Sequence, residues 1–449
     1  MWASEAASAV GGRLVGPDVE FDGADFDSRT ISVGQLFVPI VADRDGHDFI
    51  RAAYERGAAL HLTSTTDDVR RDHSAIEVAD TAAALMSLAA HGRHTTDATV
   101  VGVTGSVGKT STKDLIAAAA GARKRVVANR ASFNNEQGLP VTILGAPDDT
   151  EVLVVEMGMR GFGQITRLCE VARPEIGVVT AVGHSHTELV GGIEGVARAK
   201  GELVEALPRS GMAILNADDH RVVAMRERTG APVVTYGRTS DADVRFSDVA
   251  LDRLARPSFR IDTPWGSADV RLAVSGEHMA SNAAAALAVA GSVGVDIDAA
   301  AAALADAEMS AMRMQLVELA TGALVINDAY NANPTSMVAA LDALAAVDAD
   351  RRLAVVGPMA EIDDPAEGHA RVAAHADDVG GIELVPVGTD LYGRPPVEAV
   401  FDDPMGVLGG APSVGARTAI LVKASRSAGL ERIVQRLVDQ AIDVASEQT

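Results

Sequence analysis

The stretch Val100-Val-Gly-Val-Thr-Gly-Ser-Val-Gly-Lys-Thr-Ser-Thr-Lys113 limits the fold more than any other part of the chain. An apolar β-branched run passes through a glycine-containing turn straight into helix-forming residues, the order that opens a βαβ unit. The same alternation recurs, with buried strands predicted at 99–104, 152–156, 176–182, 212–216, 324–328, 353–357, 384–388 and 419–423 and longer Ala/Leu segments between them. Strands separated by helical crossovers pair in parallel, so the fold class is α/β. Several of these strands end in a polar or glycine residue, where ligands collect on open parallel sheets.

At roughly 100 to 200 residues per domain, 449 residues make two to four domains. Composition changes near 91–98 and 311–315 divide the chain into 1–95, 96–311 and 312–449. The polar, strand-like region 238–264 is expected to form antiparallel excursions from the middle domain. Asp and Glu number 62 against 39 Lys and Arg, a net charge of −23, and only 3% of residues are aromatic. Neither a basic surface nor a base-stacking platform is available, so no nucleic-acid partner is expected. The single Cys169 excludes an intramolecular disulfide, suits a reducing compartment and is expected in the core. The N-terminal residues show no secretory pattern, and the longest uncharged Ala/Val-rich stretch, 281–295, falls short of the ~20 residues that span a bilayer. No membrane insertion is expected, and the chain reads as a cytoplasmic monomer. Lysine is scarce, only Lys109, Lys113, Lys124, Lys200 and Lys423, so each is less casual than the abundant arginines.

The glycine-containing turn has the chemistry of a phosphate-binding loop. Small residues at Gly105, Ser106, Val107 and Gly108 let backbone N–H groups close around phosphate oxygens, and the helix start at Lys109-Thr110-Ser111 adds partial positive charge. Lys109 would reach the terminal phosphates and Thr110 would ligate Mg²⁺. Val103 stands where the longer form of the motif has its first glycine, leaving the shorter Thr-Gly-x-x-Gly-Lys-Thr. Glu156, ending an apolar strand, is the candidate metal-orienting carboxylate, although alone it reads equally as a strand-end residue. His186, in Thr180-Ala-Val-Gly-His-Ser-His-Thr-Glu188, reads as a ligand or as a solvent-facing loop residue. The amide-rich run 129–140 contains Asn134 and Asn135 and could be an ordinary turn cluster. Asp27-Ser28-Arg29 reads as an Asx turn, and Asn333-Pro-Thr as a helix N-cap followed by proline, after a strand ended by Asp328.

Taken together, the loop 104–112, Asn-Asn-x-x-Gly-x-Pro at 134–140, Glu156-Met-Gly, His186-Thr-Glu188 and Ala199-Lys-Gly-Glu202 resemble the Mur ligase family in order and rough spacing. That resemblance implies ATP-dependent amide formation. It implies a three-domain architecture: an N-terminal domain for the UDP end of the substrate, a central P-loop ATPase domain and a C-terminal Rossmann-like domain. Asn327-Asp-Ala-Tyr-Asn-Ala-Asn-Pro-Thr-Ser-Met337 is similar to the signature of the branch that joins D-alanyl-D-alanine to UDP-MurNAc-tripeptide, so these two small molecules are the implied substrates. By the same likeness Ser28 and Arg29 lie near the UDP, Asn216 and Asn282 around the ATP base, and Arg313 reaches the phosphates. Asp328 contacts nucleotide, while Asn331, Asn333, Asn134 and Asn135 belong to the substrate side. Lys200 matches a family lysine that CO₂ carbamylates, turning a cation into an anion able to bind Mg²⁺. The implied catalytic set is Lys109, Glu156, His186 and Lys200, with Thr110, Glu156, His186 and carbamylated Lys200 as metal positions for two Mg²⁺ ions. Three departures stand out: Pro358 replaces an aspartate, Ala424 replaces a glycine in Lys-Gly-Ser-Arg, and His184-Ser-His186 varies the approach to the metal histidine. The nearest rival is a sibling ligase adding a single amino acid, or glutamate to a folate. A P-loop switch is disfavoured because no Asn-Lys-x-Asp guanine-reading motif occurs.

Overall fold

The computed structural model describes residues 1–65, 73–130, 132–183, 187–411 and 413–447, which build three separate sheets with helices packed on them. The largest sheet has nine strands in the spatial order Gly266–Arg271, Pro257–Thr263, Val244–Leu251, Val233–Gly237, Met212–Asn216, Ile176–Val179, Thr99–Thr104, Val152–Glu156, Val126–Ala128. Its seven strands from Val126–Ala128 to Val244–Leu251 pair in parallel, and the two outermost run antiparallel, as expected for the polar region around 238–264. Val100 to Thr104 are all buried, which is why that strand is an unbroken small and β-branched run rather than an alternating one. From Thr99–Thr104 the chain first builds the sheet on one side, through Val126–Ala128 and Val152–Glu156, and then crosses to Ile176–Val179 on the other. That reversal opens a crevice at the carboxyl end of Thr99–Thr104, and the loop 105–108 occupies it.

The helix Lys109–Gly121 leaves this loop and packs against Met279–Ser292, in which Ala283 to Ala290 are completely buried. Alanine side chains let the two helices approach closely. The apolar stretch 281–295 is therefore core, and no described helix is long and apolar enough to cross a membrane.

The N-terminal sheet has the order Arg13–Val15, Ser74–Glu77, Leu60–Thr63, Leu36–Phe37, Ala24–Asp25, and the helix Thr81–His94 connects it to the central sheet. The third sheet runs Gln315–Glu318, Leu324–Asn327, Thr418–Lys423, Arg351–Val356, Ile382–Pro386, its last four strands parallel and its first antiparallel. The helix Pro334–Ala346 begins with a reciprocal cap: Asn333 accepts from the Ser336 N–H at 2.9 Å, and the Ser336 hydroxyl accepts from the Asn333 N–H at 3.1 Å.

Four strands end earlier than expected, among them those expected at 353–357 and 384–388, which run Arg351–Val356 and Ile382–Pro386. The strand from Ile176 stops at Val179, and Asp328 lies one residue beyond Leu324–Asn327. Hydropathy marks which residues are buried, but not where the ladder gives way to a loop that bonds elsewhere. Cys169 is buried, with its Sγ 3.7 Å from the Met157 Sδ, and burial pushes its thiol up to about 12. Because the raised value keeps the unreactive thiol form throughout pH 7 to 9, Cys169 should resist iodoacetamide in the native protein and react in denaturant, as read by mass spectrometry.

Candidate functional site

Glycine at 105 is required by the space around it. Its φ is +153°, and a Cβ would lie 1.8 Å from the Thr180 Oγ1. Thr180 fills that space to donate to the Val107 carbonyl at 2.6 Å, while the Ser106 N–H donates to the Ala181 carbonyl at 2.7 Å. The loop after Ile176–Val179 thus braces the phosphate loop from beneath. Gly108 has φ +81° and faces Asn282, whose Oδ1 would be 2.7 Å from an added Cβ, so Asn282 abuts the helix start from the neighbouring buried helix. Asn216 donates to the Thr180 carbonyl at 2.7 Å, tying a further strand end to the same loop.

Two lysines share one acceptor. Lys109 and Lys200 donate to the Gly105 carbonyl at 2.8 and 2.9 Å. Burial lowers both below the ordinary lysine range. For Lys200, 2% exposed, the Lys109 charge lowers it further, well below that range, while Glu156 opposes the shift. Glu156 is 1% exposed and accepts from the Thr110 hydroxyl and the Asn134 amide, both at 2.7 Å. Asn129 fixes the backbone there by accepting from the Glu156 N–H at 2.8 Å. Asn135 instead accepts from the N–H groups of Gln137 and Gly138 at the start of Gly138–Leu144.

The opposite wall comes from the third sheet. The Arg313 guanidinium reaches back to the Thr110 and Ser132 hydroxyls, both at 3.2 Å, and lies 4.1 Å over the Tyr330 ring. Lys423, at the end of its strand, is ion-paired with Asp328 at 2.6 Å and donates to the Asn331 carbonyl at 2.7 Å. Burial lowers Lys423 and the Asp328 charge opposes that shift. Asp328 also accepts from the Met314 N–H at 3.1 Å. Between the walls lies a cleft of about 710 Å³.

Of the residues expected at the site, Ser106, Val107, Gly108, Lys109, Thr110, Ser111, Asn134, Asn135, Glu156, Lys200, Asn216, Asn282, Arg313, Asp328, Asn331 and Asn333 border this cleft, and Gly105 lies beneath its loop. Asn333 spends its side chain on the helix cap. Ser28 and Arg29 do not border it: Ser28 is buried in the N-terminal domain, and Arg29 is exposed and paired with Asp27, whose carboxylate accepts from the Arg29 N–H at 2.9 Å as the expected Asx turn requires. His186 lies outside the described residues. Among the described residues no three His, Cys, Asp or Glu side chains cluster to hold a metal. Lys423, Ser132, His278 and Glu361 also line the cleft and were missed as site residues. Lysine scarcity and the Lys-Ala-Ser-Arg run were available signals for Lys423, and Glu361 and His278 stand in runs, Gly357-Pro-Met-Ala-Glu-Ile362 and His278-Met-Ala-Ser-Asn282, that already bear comparison with the family, whereas Ser132 carries no signal without the fold.

A phosphate loop at the head of a parallel sheet, faced by an arginine and a buried ion pair from a second sheet, defines a P-loop enzyme that works between domains. Residues 103–290 match the Mur ligase middle domain and residues 312–396 the Mur ligase, glutamate ligase domain. The chain is 39% identical, over 81% of its length and 77% of the relative's, to UDP-N-acetylmuramoyl-tripeptide–D-alanyl-D-alanine ligase of Mycobacterium tuberculosis. It is 34% identical to the Escherichia coli enzyme of the same name, covering 97% of both chains. A solved UDP-N-acetylmuramoylalanyl-D-glutamyl-2,6-diaminopimelate–D-alanyl-D-alanyl ligase from Acinetobacter baumannii superposes with a TM-score of 0.84 at 25% identity, covering 97% of this chain and 98% of that one. The chain belongs to the Mur ligase family and is an ATP-dependent ligase.

Removing one partner of the buried Lys423–Asp328 pair leaves an uncompensated charge, worth roughly 3 to 5 kcal/mol. Lys423→Met should therefore lower the melting temperature in calorimetry, and adding Asp328→Asn should recover part of the loss. Equal melting of wild type and the single variant would remove the pair from the stability of the third sheet.

Proposed function

We propose that the chain joins D-alanyl-D-alanine to UDP-MurNAc-tripeptide, forming the UDP-MurNAc-pentapeptide used to build peptidoglycan. In this reading residues 1–95 hold the uridine nucleotide, with Ser28 and Arg29 near it, 96–311 hold ATP, and 312–449 bring the dipeptide. The observation that carries the reading is the meeting of Arg313 and the Asn327–Met337 run with the phosphate loop across one cleft. The matching relatives that bear this activity in their names support it.

A carboxylate resists attack by an amine, because its own charge repels the nucleophile and oxide is a poor leaving group. Transfer of the γ-phosphoryl group to the terminal carboxylate of the tripeptide converts that oxygen into part of a phosphate leaving group, and the dipeptide amine then displaces it. Phosphoryl transfer needs positioning and charge neutralisation more than covalent help. The N–H groups of 105–110 cradle the phosphates, Lys109 moves from the Gly105 carbonyl to the β- and γ-oxygens, and Arg313 meets the charge developing opposite. Asn216 and Asn282 border the adenine side.

The oxygen donors Thr110 and Glu156, close together and without thiolates, fit a hard cation such as Mg²⁺, which commonly takes one or two carboxylates plus substrate phosphates. Thr110, Glu156, His186 and a carbamylated Lys200 would hold two such ions, which would supply positive charge to neutralise the phosphates. Only a neutral amine adds CO₂, forming an N–C bond and releasing one proton. The burial of Lys200 and the Lys109 charge beside it favour that neutral form.

The test is phosphate release with ATP across UDP-muramyl peptides and candidate amines. Release that requires both the tripeptide nucleotide and D-alanyl-D-alanine supports the reading, whereas release with single amino acids on the dipeptide nucleotide would assign a sibling ligase. Lys109→Ala should lose at least about a hundredfold in ligation while retaining its circular dichroism spectrum. Lys200→Ala should be nearly inactive and partly restored by formate or acetate, and Lys200→Arg should not be restored. An active Lys200→Arg enzyme would show that a positive charge suffices there.

A further inference from the structure

Three successive residues beside the phosphate loop each meet a different part of the chain. The Ser132 hydroxyl lies 3.2 Å from the Thr110 hydroxyl and accepts, also at 3.2 Å, from the Arg313 guanidinium at the start of the third sheet. Asn134 donates to Glu156 at 2.7 Å, and its carbonyl accepts from the Gly158 N–H at 2.8 Å. Phe133, between them, meets the N-terminal domain: its ring packs on Phe26 with centroids 5.5 Å apart and planes at 38°. Two groups that touch the phosphate-loop hydroxyl or the buried carboxylate are thus chain neighbours of a ring seated on another domain.

Both sides of this ring contact are fixed. On the N-terminal side the buried Asp25 carboxylate accepts from the Asp27 N–H and the Thr30 hydroxyl, both at 2.9 Å. These bonds close the turn that directly follows Phe26, and Ser28 and Arg29 lie in it. On the central side a Cβ at position 138 would lie 2.5 Å from both Cα and Cβ of Phe133, so glycine there lets the segment pack tightly. The helix Gly138–Leu144 that follows packs on Thr81–His94, and its Val141 and Leu144 join the apolar core of the N-terminal domain. The segment is therefore anchored on that domain both at Phe133 and along the helix after it, and side chains held in this way keep a defined geometry.

We propose that Phe133 is a positioning residue that couples the N-terminal domain to the phosphate loop, an inference that rests on the reading above in which that domain holds the uridine end of the acceptor. With the N-terminal domain seated, the Phe26–Phe133 contact holds Ser132 against Thr110 and Arg313, and Asn134 against Glu156. Interfaces between domains of one chain commonly allow relative motion, so the contact has a made and a broken arrangement. A ligand shifts such an equilibrium only by preferring one arrangement. A uridine nucleotide at the turn after Phe26 favours the seated domain, and ATP favours the arrangement that aligns Thr110, Glu156 and Arg313 on its phosphates. Two ligands that favour the same arrangement tighten each other by the same factor. An aromatic pair of this kind supports a coupling of up to about tenfold.

The probes are UDP-MurNAc, which has the uridine end and no peptide, and the β,γ-imido analogue of ATP, which cannot transfer its terminal phosphoryl group. In calorimetry with Mg²⁺, saturating UDP-MurNAc should tighten the ATP analogue on the wild-type enzyme about five- to tenfold, and the reverse titration should give the same factor. Phe133→Ala should cut the factor to about twofold or less, while the affinity for each probe alone changes about threefold or less. Phe26→Ala should lose the coupling equally from the other domain, and the double variant should lose no more, because all three remove one contact. Phe133→Tyr keeps the ring and should keep the coupling, which separates the contact from a folding defect. A merely structural role would weaken each probe alone and leave the factor in place. Coupling that survives both alanine variants, or wild-type affinities that are independent of each other, would overturn the role of Phe133. A wild-type enzyme that binds the ATP analogue and not UDP-MurNAc would instead overturn the ligation reading.

Discussion

The Gly105 carbonyl, accepting from two buried lysines at once, is the contact on which the site turns. Two ammonium groups brought to one oxygen in a dry setting repel each other and lose hydration, so both are pushed toward neutrality. The arrangement is stable only because the loop is braced and Glu156 lies close by. Thr180 does the bracing, and the room it occupies is the room a Cβ at position 105 would need. A site built this way is poised for anions: phosphate oxygens would relieve Lys109, and conversion of Lys200 to a carbamate would relieve both.

A second constraint joins the walls of the cleft. Arg313 sits between Met312 and Met314, whose φ values of +60° and +50° place two non-glycine residues in the left-handed region. The strained segment is held at both ends. Asp114, on the helix leaving the phosphate loop, accepts from the Ser310 N–H at 2.8 Å and its hydroxyl at 3.0 Å, and Asp328 accepts from the Met314 N–H. Strain that persists because its surroundings over-determine it is commonly stored where geometry serves function. Here it aims one guanidinium from the beginning of the third sheet at the hydroxyl of the helix that carries the phosphate loop.

The carboxylates follow the same division of labour. Asp328 is neutralised within its own wall by Lys423, Glu156 is shared by the hydroxyl and amide on either side of it, and Glu361 projects from a loop fixed by its neighbours. Giving the buried Glu156 and Asp328 specific partners separates groups of opposite role within one cleft, since an unpaired buried charge would be costly. The net charge of −23 sits elsewhere, on a surface rich in exposed Asp and Glu.

The sequence by itself determined the parallel sheets, the phosphate loop and the Asn333 cap, because each depends on residues within a few positions of one another. Lysine scarcity marked all five lysines alike, and the structure separates them: Lys113, Lys200 and Lys423 are each 2% exposed, whereas Lys109 and Lys124 are half-buried. The family motifs supplied Glu156, Lys200, Arg313 and Asp328 as candidates without saying which would meet. Tertiary structure decided the rest. Thr180 beneath Gly105, Arg313 on Thr110, and the pairing of Lys423 with Asp328 join residues 75, 203 and 95 positions apart, and no local periodicity encodes such distances. Glu361 is a mixed case: the run Gly357-Pro-Met-Ala-Glu-Ile362 already bears comparison with the family in the sequence, but only a backbone held by Lys423, His369 and Ser425 brings it to the cleft.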